Sequence, residues 1–249
     1  RSAAAVDRAI AELKTDGVRV DGLACNVGDR LQVQALADRA IASFGQFDIW
    51  INNAGISGTY GPTIDLQPEK FEQVVQTNIL GTYYGSRVAM SHFLMQGHGK
   101  LINILGAGAR KPTPNQNAYA SSKAWIRNFT LALAKEYKDS GVEVFPFQPG
   151  LMTTELLSEV EVIEGHAARL KVFPTIIRMW GRPPEVAAQK VVWLAGSATD
   201  GKSGLEATML TRGAMLGGGL HELWRRVTRQ PLNEMKLNLK IVPSALKKN

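Results

Sequence analysis

Two hydrophobic periods alternate along this chain, and that alternation limits the folds open to it more than any single residue does. Short β-rich runs stand at Val18–Ala24, Phe47–Ile51, Lys100–Ile104, Val142–Phe147 and Leu205–Leu210. Between them lie longer stretches with apolar residues at helical spacing: Ala3–Lys14, Leu31–Phe44, Pro68–Met95, Ala118–Tyr137 and Pro184–Leu194. Strands alternating with helices imply right-handed crossovers, which set the strands parallel and cover both faces of the sheet with helices. Phe47–Ile51 and Leu101–Ile104 are almost wholly apolar, as strands buried on both faces are. The expected class is α/β with a doubly wound, mostly parallel sheet. Arg1-Ser2 leads straight into a helical pattern, so the sheet is expected to lack its opening β-α-β unit.

A chain of 249 residues, 45% of them hydrophobic, suits one compact domain. The expected division is an incomplete dinucleotide-binding and catalytic domain over residues 1–215 and a basic extension over 216–249. No run approaches the ~18 apolar residues of a membrane span. The single cysteine, Cys25, cannot form an internal disulfide, which points to a reducing cytoplasm. The net charge of +7 is concentrated at one end: from His221 to Asn249 there are seven Lys or Arg against two Glu. The body is nearly balanced, which argues against nucleic acid as a partner. In the tail, Leu220, Leu223, Trp224 and Val227 recur at amphipathic helical spacing. Packing against the domain or a second subunit is expected of them, ahead of a membrane surface. His92, His98, His166 and His221 lack metal-ligand spacing, so no metal site is expected.

Four groups of residues carry chemistry. In Tyr119-Ala120-Ser121-Ser122-Lys123, a phenol and an ammonium at i and i+4 share one helical face. A phenol of pKa near ~10 is a poor acid or base at neutral pH, and a neighbouring cation is expected to lower that value. Asn52-Asn53-Ala54-Gly55 forms a turn after an apolar strand. Asn78 interrupts an otherwise apolar helical pattern, where asparagine is locally unfavourable. Pro149-Gly150-Leu151-Met152-Thr153-Thr154 follows the run Val142–Phe147.

In this order and spacing the four motifs resemble those of the classical short-chain dehydrogenase/reductase family, over roughly Arg1 to Gly213. The resemblance implies a Rossmann-type sheet and hydride transfer between NADP(H), or NAD(H), and a secondary alcohol or carbonyl compound. It casts Tyr119 as acid/base, Lys123 as the group that lowers its pKa and holds the ribose, and Asn78 as the holder of a relay water. Asn53, Ala54 and Gly55 would line the cofactor cleft. Pro149, Gly150, Met152 and Thr154 would meet the nicotinamide carboxamide. Asn26 and Val27 stand where the family has an Asp-Val pair at the adenine. Arg1 stands where an arginine meets the 2′-phosphate in many NADP-preferring members, or it is a plain helix-start arginine. The helices Pro68–Met95 and Ala118–Tyr137 resemble those through which members form dimers or tetramers. The segment Leu156–Trp180 falls where members cover their substrate, which implies an apolar substrate or else ordinary packing.

The sequence departs from the family twice. No glycine-rich pyrophosphate loop follows a suitable strand, so weak dinucleotide binding is expected of the chain as it stands. The family serine is also replaced: thirteen and fourteen residues before the tyrosine stand Gly106 and Leu105. Thr113, Asn115 and Asn117 lie close enough to reach inward, although loop and helix capping is their ordinary use. Gly106→Ser is expected to raise kcat by adding an oxyanion donor, unless the glycine is required for a positive φ or for the close approach of a bulky substrate. These departures leave open an alternative function, a relative that binds nucleotide or a partner and turns over little.

Overall fold

In a computed structural model, residues 2–228 and 236–246 are described. Arg1, the expected 2′-phosphate contact, lies outside them. The chain runs α1 (Ala3–Thr15), α2 (Arg30–Phe44), β1 (Ile49–Asn52), α3 (Pro68–Val74), α4 (Gly81–Gln96), β2 (Gly99–Ile104), α5 (Asn117–Glu136) and β3 (Val142–Gln148). It continues with β4 (Leu151–Met152), α6 (Glu155–Ser158), β5 (Glu159–Ile163), α7 (Phe173–Trp180), β6 (Gly181–Arg182), α8 (Pro184–Ala195), β7 (Ala207–Thr208), α9 (Arg212–Val227) and β8 (Asn238–Val242). Local chemistry sets the helix ends. The Asp29 carboxylate caps α2 by accepting from the backbone N–H of Leu31 and Gln32, and Gly97 closes α4 in the left-handed conformation.

The main sheet is parallel in the order β1-β2-β3-β7. Leu101 and Ile102 of β2 and Val144 and Phe145 of β3 are fully buried. The expected strand Val18–Ala24 does not form, because no described residue pairs with it. Its β-rich composition is not enough, since a ladder needs a partner backbone. The expected helix Pro68–Met95 is continuous only through a π turn over Val75–Leu80, which joins α3 to α4 and carries Asn78.

A polar network is built into this core. Asn52 Nδ2 donates to Asn103 Oδ1 (2.8 Å) and to Ser86 Oγ (3.0 Å), while its Oδ1 accepts from Trp50 Nε1 (2.9 Å). Asn103 Nδ2 donates onward to Thr130 Oγ1 (2.9 Å). The network thereby ties β1 and β2 to α4 and to α5, the helix that carries Tyr119 and Lys123. Asn103, Ser86 and Thr130 are buried, so an unpaired group among them would keep its full desolvation penalty. Asn103→Ala is expected to lower the unfolding free energy by about 2–3 kcal/mol, read from the urea midpoint at unchanged slope.

The C-terminal residues fold back over the segment that follows β3. β8 pairs in parallel with β5 from Glu159↔Asn238 to Ile163↔Val242, and Tyr60 bridges to Val162. α9 begins at Arg212, ahead of the boundary expected at residue 215, and packs on α7. Its apolar residues do not pack on the domain, the first of the two places expected for them. Glu222 faces inward and pairs with Arg178 and Arg225 at 2.9 Å, while Leu220, Leu223, Trp224 and Val227 are exposed.

Candidate active site

The carboxyl ends of parallel strands release their loops on one edge, and three of those loops converge here. The residues 53–58 leave β1, residues 105–116 leave β2, and Pro149-Gly150 leaves β3. Leu105 N–H donates to the Phe147 carbonyl at 2.7 Å, which holds the second and third loops together. The second loop feeds α5, whose first turn carries Tyr119 and whose second carries Lys123. The i, i+4 spacing sets Lys123 Nζ 5.6 Å from the centroid of the Tyr119 ring.

Lys123 is buried, and its Nζ donates to the Ile104 carbonyl at the end of β2 (2.9 Å). Asn78 is buried opposite. Its Oδ1 accepts from the Ile56 N–H (2.9 Å), and its Nδ2 donates to the Ile56 carbonyl (3.0 Å) and to Ser122 Oγ (3.0 Å). The amide that sequence marks as out of place on a helix thus clamps the loop after β1 to α5. Gly55 completes the junction. A Cβ there would lie 3.4 Å from Asn78 Oδ1 and 3.6 Å from Lys123 Nζ, so its missing side chain leaves both groups open to a third body.

Gly106 makes a closer approach than any motif indicates. A Cβ at this position would overlap the Tyr119 hydroxyl oxygen and lie 2.9 Å from Cζ and 3.2 Å from Lys123 Cγ. The tyrosine hydroxyl therefore packs where a serine side chain would begin. The φ of Gly106 is not positive, and a serine cannot enter without moving Tyr119. Asn115 and Asn117 have partners of their own. Asn117 Nδ2 donates to Thr63 Oγ1 (3.1 Å), and Asn115, at φ +64°, is held by Tyr60, Arg169 and the Gly61 N–H.

The electrostatics also differ from expectation. Desolvation pushes Tyr119 up to about 12 and Lys123 down to about 8. Burial is the cause of both shifts, so the lysine does not bring the phenol toward neutrality here. Between pH 8 and the ordinary lysine value of 10.5 the unfolded chain holds a proton that the folded chain has lost, so stability rises with pH. From 10 to about 12 the folded chain keeps the Tyr119 proton longer, and stability falls. Thermal midpoints should therefore climb from about pH 8 to about pH 10 in the wild type and stay flat over that window in Lys123→Met.

The other expected cofactor residues are spread along the same edge. Asn53 and Ala54 are exposed on the first loop. Gly150 turns at φ +83° after Pro149. Met152 pairs with Arg182 and is partly packed on the core around Ile102 and Phe147, leaving its backbone at the edge. Thr154 starts α6, with its hydroxyl 3.4 Å from the Met152 carbonyl. Asn26 and Val27 lie apart from Tyr119, at the start of α2. Asn26 Oδ1 accepts from the Gly28 N–H (3.4 Å), and Val27 sits against Gly81 at the head of α4. Among the described residues no group of His, Cys, Asp or Glu could hold a metal ion.

The buried ammonium of Lys123, the open side of Gly55 and the Gly150 turn fit a nicotinamide dinucleotide laid across these loops. The family model for short chain dehydrogenases matches residues 1–163. Glucose 1-dehydrogenase 2 of Bacillus subtilis (strain 168) is 29% identical over 210 residues, 84% of this chain and 80% of that protein. 3beta-hydroxysteroid dehydrogenase 1 of Eggerthella lenta is 36% identical over 185 residues, 74% of this chain and 69% of that protein. Among solved structures, a 3-ketoacyl-(acyl-carrier-protein) reductase from Brucella melitensis complexed with NADH superposes with a TM-score of 0.71 at 26% identity, covering 84% of this chain and 83% of that one.

Proposed function

We propose, from the premise that this chain belongs to the classical short-chain dehydrogenase/reductase family and is an NAD(P)-dependent oxidoreductase, that it interconverts an apolar secondary alcohol and its ketone with NADP(H). The observation that carries the reading is the packing of Tyr119, Lys123, Asn78 and Gly55 into one junction at the carboxyl edge of the sheet. Bound NADP supplies the hydride acceptor, or in its reduced form the donor. Tyr119 Oη takes the alcohol proton in oxidation and returns it to the carbonyl oxygen in reduction. Lys123 holds the ribose by its ammonium and carries the positive charge that favours a Tyr119 phenolate. Asn78, already fixed by Ile56 and Ser122, offers the remaining capacity of Oδ1 to a relay water beside Lys123 Nζ. Asn53, Ala54, Pro149, Gly150, Met152 and Thr154 line the nicotinamide end, and Asn26 and Val27 the adenine end.

An apolar substrate is the reading of the apolar segment Leu156–Trp180, and the relative named for a hydroxysteroid supports it. The preference for NADP rests on the place of Arg1 in the sequence. In a fluorescence titration of the intact protein, NADPH is expected to bind about tenfold more tightly than NADH, as one charge-assisted phosphate contact allows. Tighter NADH binding would reverse the assignment. The single Cys25, half-buried and with its thiol pushed up by burial, suits a reducing cytoplasm.

Assembly as a homodimer or homotetramer is supported by an aromatic face on α4 and α5. Trp125 and Phe129 stack at 4.8 Å, Tyr83 meets Phe129 edge-on at 6.2 Å, and Tyr83 is exposed. Light scattering at micromolar concentration should give twice or four times the chain mass of 27.1 kDa. A monomer would rule the assembly out.

A further inference from the structure

α9 is inside out for a helix that packs on its own domain. Leu216, Leu220, Leu223, Trp224 and Val227 are each more than half exposed, and they form one face at i, i+4, i+7, i+8 and i+11. The inward face is polar. Glu222, the one acidic residue of the helix, is buried between Arg178 and Arg225, each at 2.9 Å. The outward face is therefore apolar and carries no carboxylate. Charge in the surrounding sequence is one-sided: from Arg212 to Asn249 there are eight Lys or Arg against two Glu, so six of the seven excess positive charges of the chain lie there.

Helix propensity points the same way. Gly217-Gly218-Gly219 sits in the middle of α9, and each glycine disfavours a helix by about 1 kcal/mol relative to alanine. Gly218 is explained by packing, since a Cβ would lie 2.6 Å from Trp180 Cδ1. A Cβ at Gly217 or Gly219 would meet nothing within 4 Å, so packing does not require glycine at either position. A helix this weak gains most from a surface that receives its apolar face.

We propose that α9 seats the protein on an anionic lipid surface, with Leu216, Leu220, Leu223, Trp224 and Val227 entering the headgroup–acyl boundary and the net positive charge of the segment from Arg212 to Asn249 drawing it to anionic headgroups. A second copy of this chain is the weaker occupant, because two segments carrying this excess of positive charge repel, whereas an anionic bilayer attracts both. Since α9 packs on α7, docking brings α7, part of the segment whose counterpart covers the substrate in the family, to the membrane and to an apolar alcohol or ketone dissolved there. That last step rests on the proposed function; the docking does not.

The test is co-sedimentation of the intact protein with vesicles of phosphatidylcholine alone and of phosphatidylcholine with phosphatidylglycerol. Binding is expected to the anionic vesicles, weaker at high salt, with a blue shift of tryptophan emission. Leu220→Glu and Trp224→Glu should each weaken binding by about tenfold or more, with unchanged thermal midpoint and unchanged mass in solution. Two results would overturn the proposal: no difference between the two vesicle types, or a fall in oligomeric mass in either variant, which would make the face a contact between subunits. Activity plays no part in these readouts, so an inactive protein that binds the anionic vesicles would refute the enzymatic reading and leave the docking intact.

Discussion

Tyr119→Phe is expected to lower kcat by about 10³-fold, within the usual worth of one positioned acid/base, while leaving fold and cofactor affinity in place. The variant removes one oxygen. Among the described residues the Tyr119 ring rests on Gly106 and Lys123, and its hydroxyl makes no hydrogen bond that the fold depends on. Stability should therefore stay within about 0.5 kcal/mol of the wild type, the range for changes away from buried networks. Steady-state rates on a panel of secondary alcohols and ketones, with a melting curve beside them, separate the two effects. A variant that keeps more than a tenth of the wild-type rate would take Tyr119 out of the chemistry. One that loses its fold would make the residue structural.

The second large effect concerns Gly106. Gly106→Ser and Gly106→Ala should both lower kcat, by about 10- to 100-fold, because a Cβ displaces the Tyr119 hydroxyl by roughly an ångström and reacting geometry tolerates little of that. Forcing an atom into this contact should also destabilise the protein by about 1–3 kcal/mol. The alanine variant is the control for shape, and the serine variant adds the hydroxyl. If serine alone restored or raised kcat, the tyrosine would have room to swing and the close approach would not limit the rate. Equal losses in both would assign the glycine to the position of Tyr119.

The resemblance to a serine-bearing family favours the opposite sign at Gly106, and the contrast shows where sequence reading stops. Elements that depend on local pattern were legible. The helical spacing of Ala3–Lys14, Leu31–Phe44, Ala118–Tyr137 and Pro184–Leu194 agrees with α1, α2, α5 and α8 to within a residue or so. Tyr119 and Lys123 were legible as a pair because one helical turn fixes their spacing, and Asn78 because an amide is out of place among apolar residues. Features that depend on a partner distant in sequence were not. Val18–Ala24 has the composition of a strand and no ladder. The network joining Asn52, Asn103, Ser86 and Thr130 draws on residues up to 78 positions apart in sequence, and each member alone reads as an ordinary polar residue. The amphipathic pattern of α9 gives its apolar face and not the direction of that face, which the ion pairs of Glu222 decide. The pKa of Tyr119 depends on how far its ring is desolvated, and a spacing of four residues is silent on that.

The central claim is that Tyr119 moves the proton while hydride passes between substrate and cofactor. The most direct measurement is a single turnover of a secondary alcohol deuterated at the carbinol carbon, with oxidised cofactor, in the wild type and in Tyr119→Phe. Mass spectrometry of the recovered nicotinamide reads the label. Deuterium is expected on the reduced cofactor from the wild type and none from Tyr119→Phe over the same interval. Equal labelling in both proteins, or an unlabelled cofactor from a wild type that has bound it, would contradict the account.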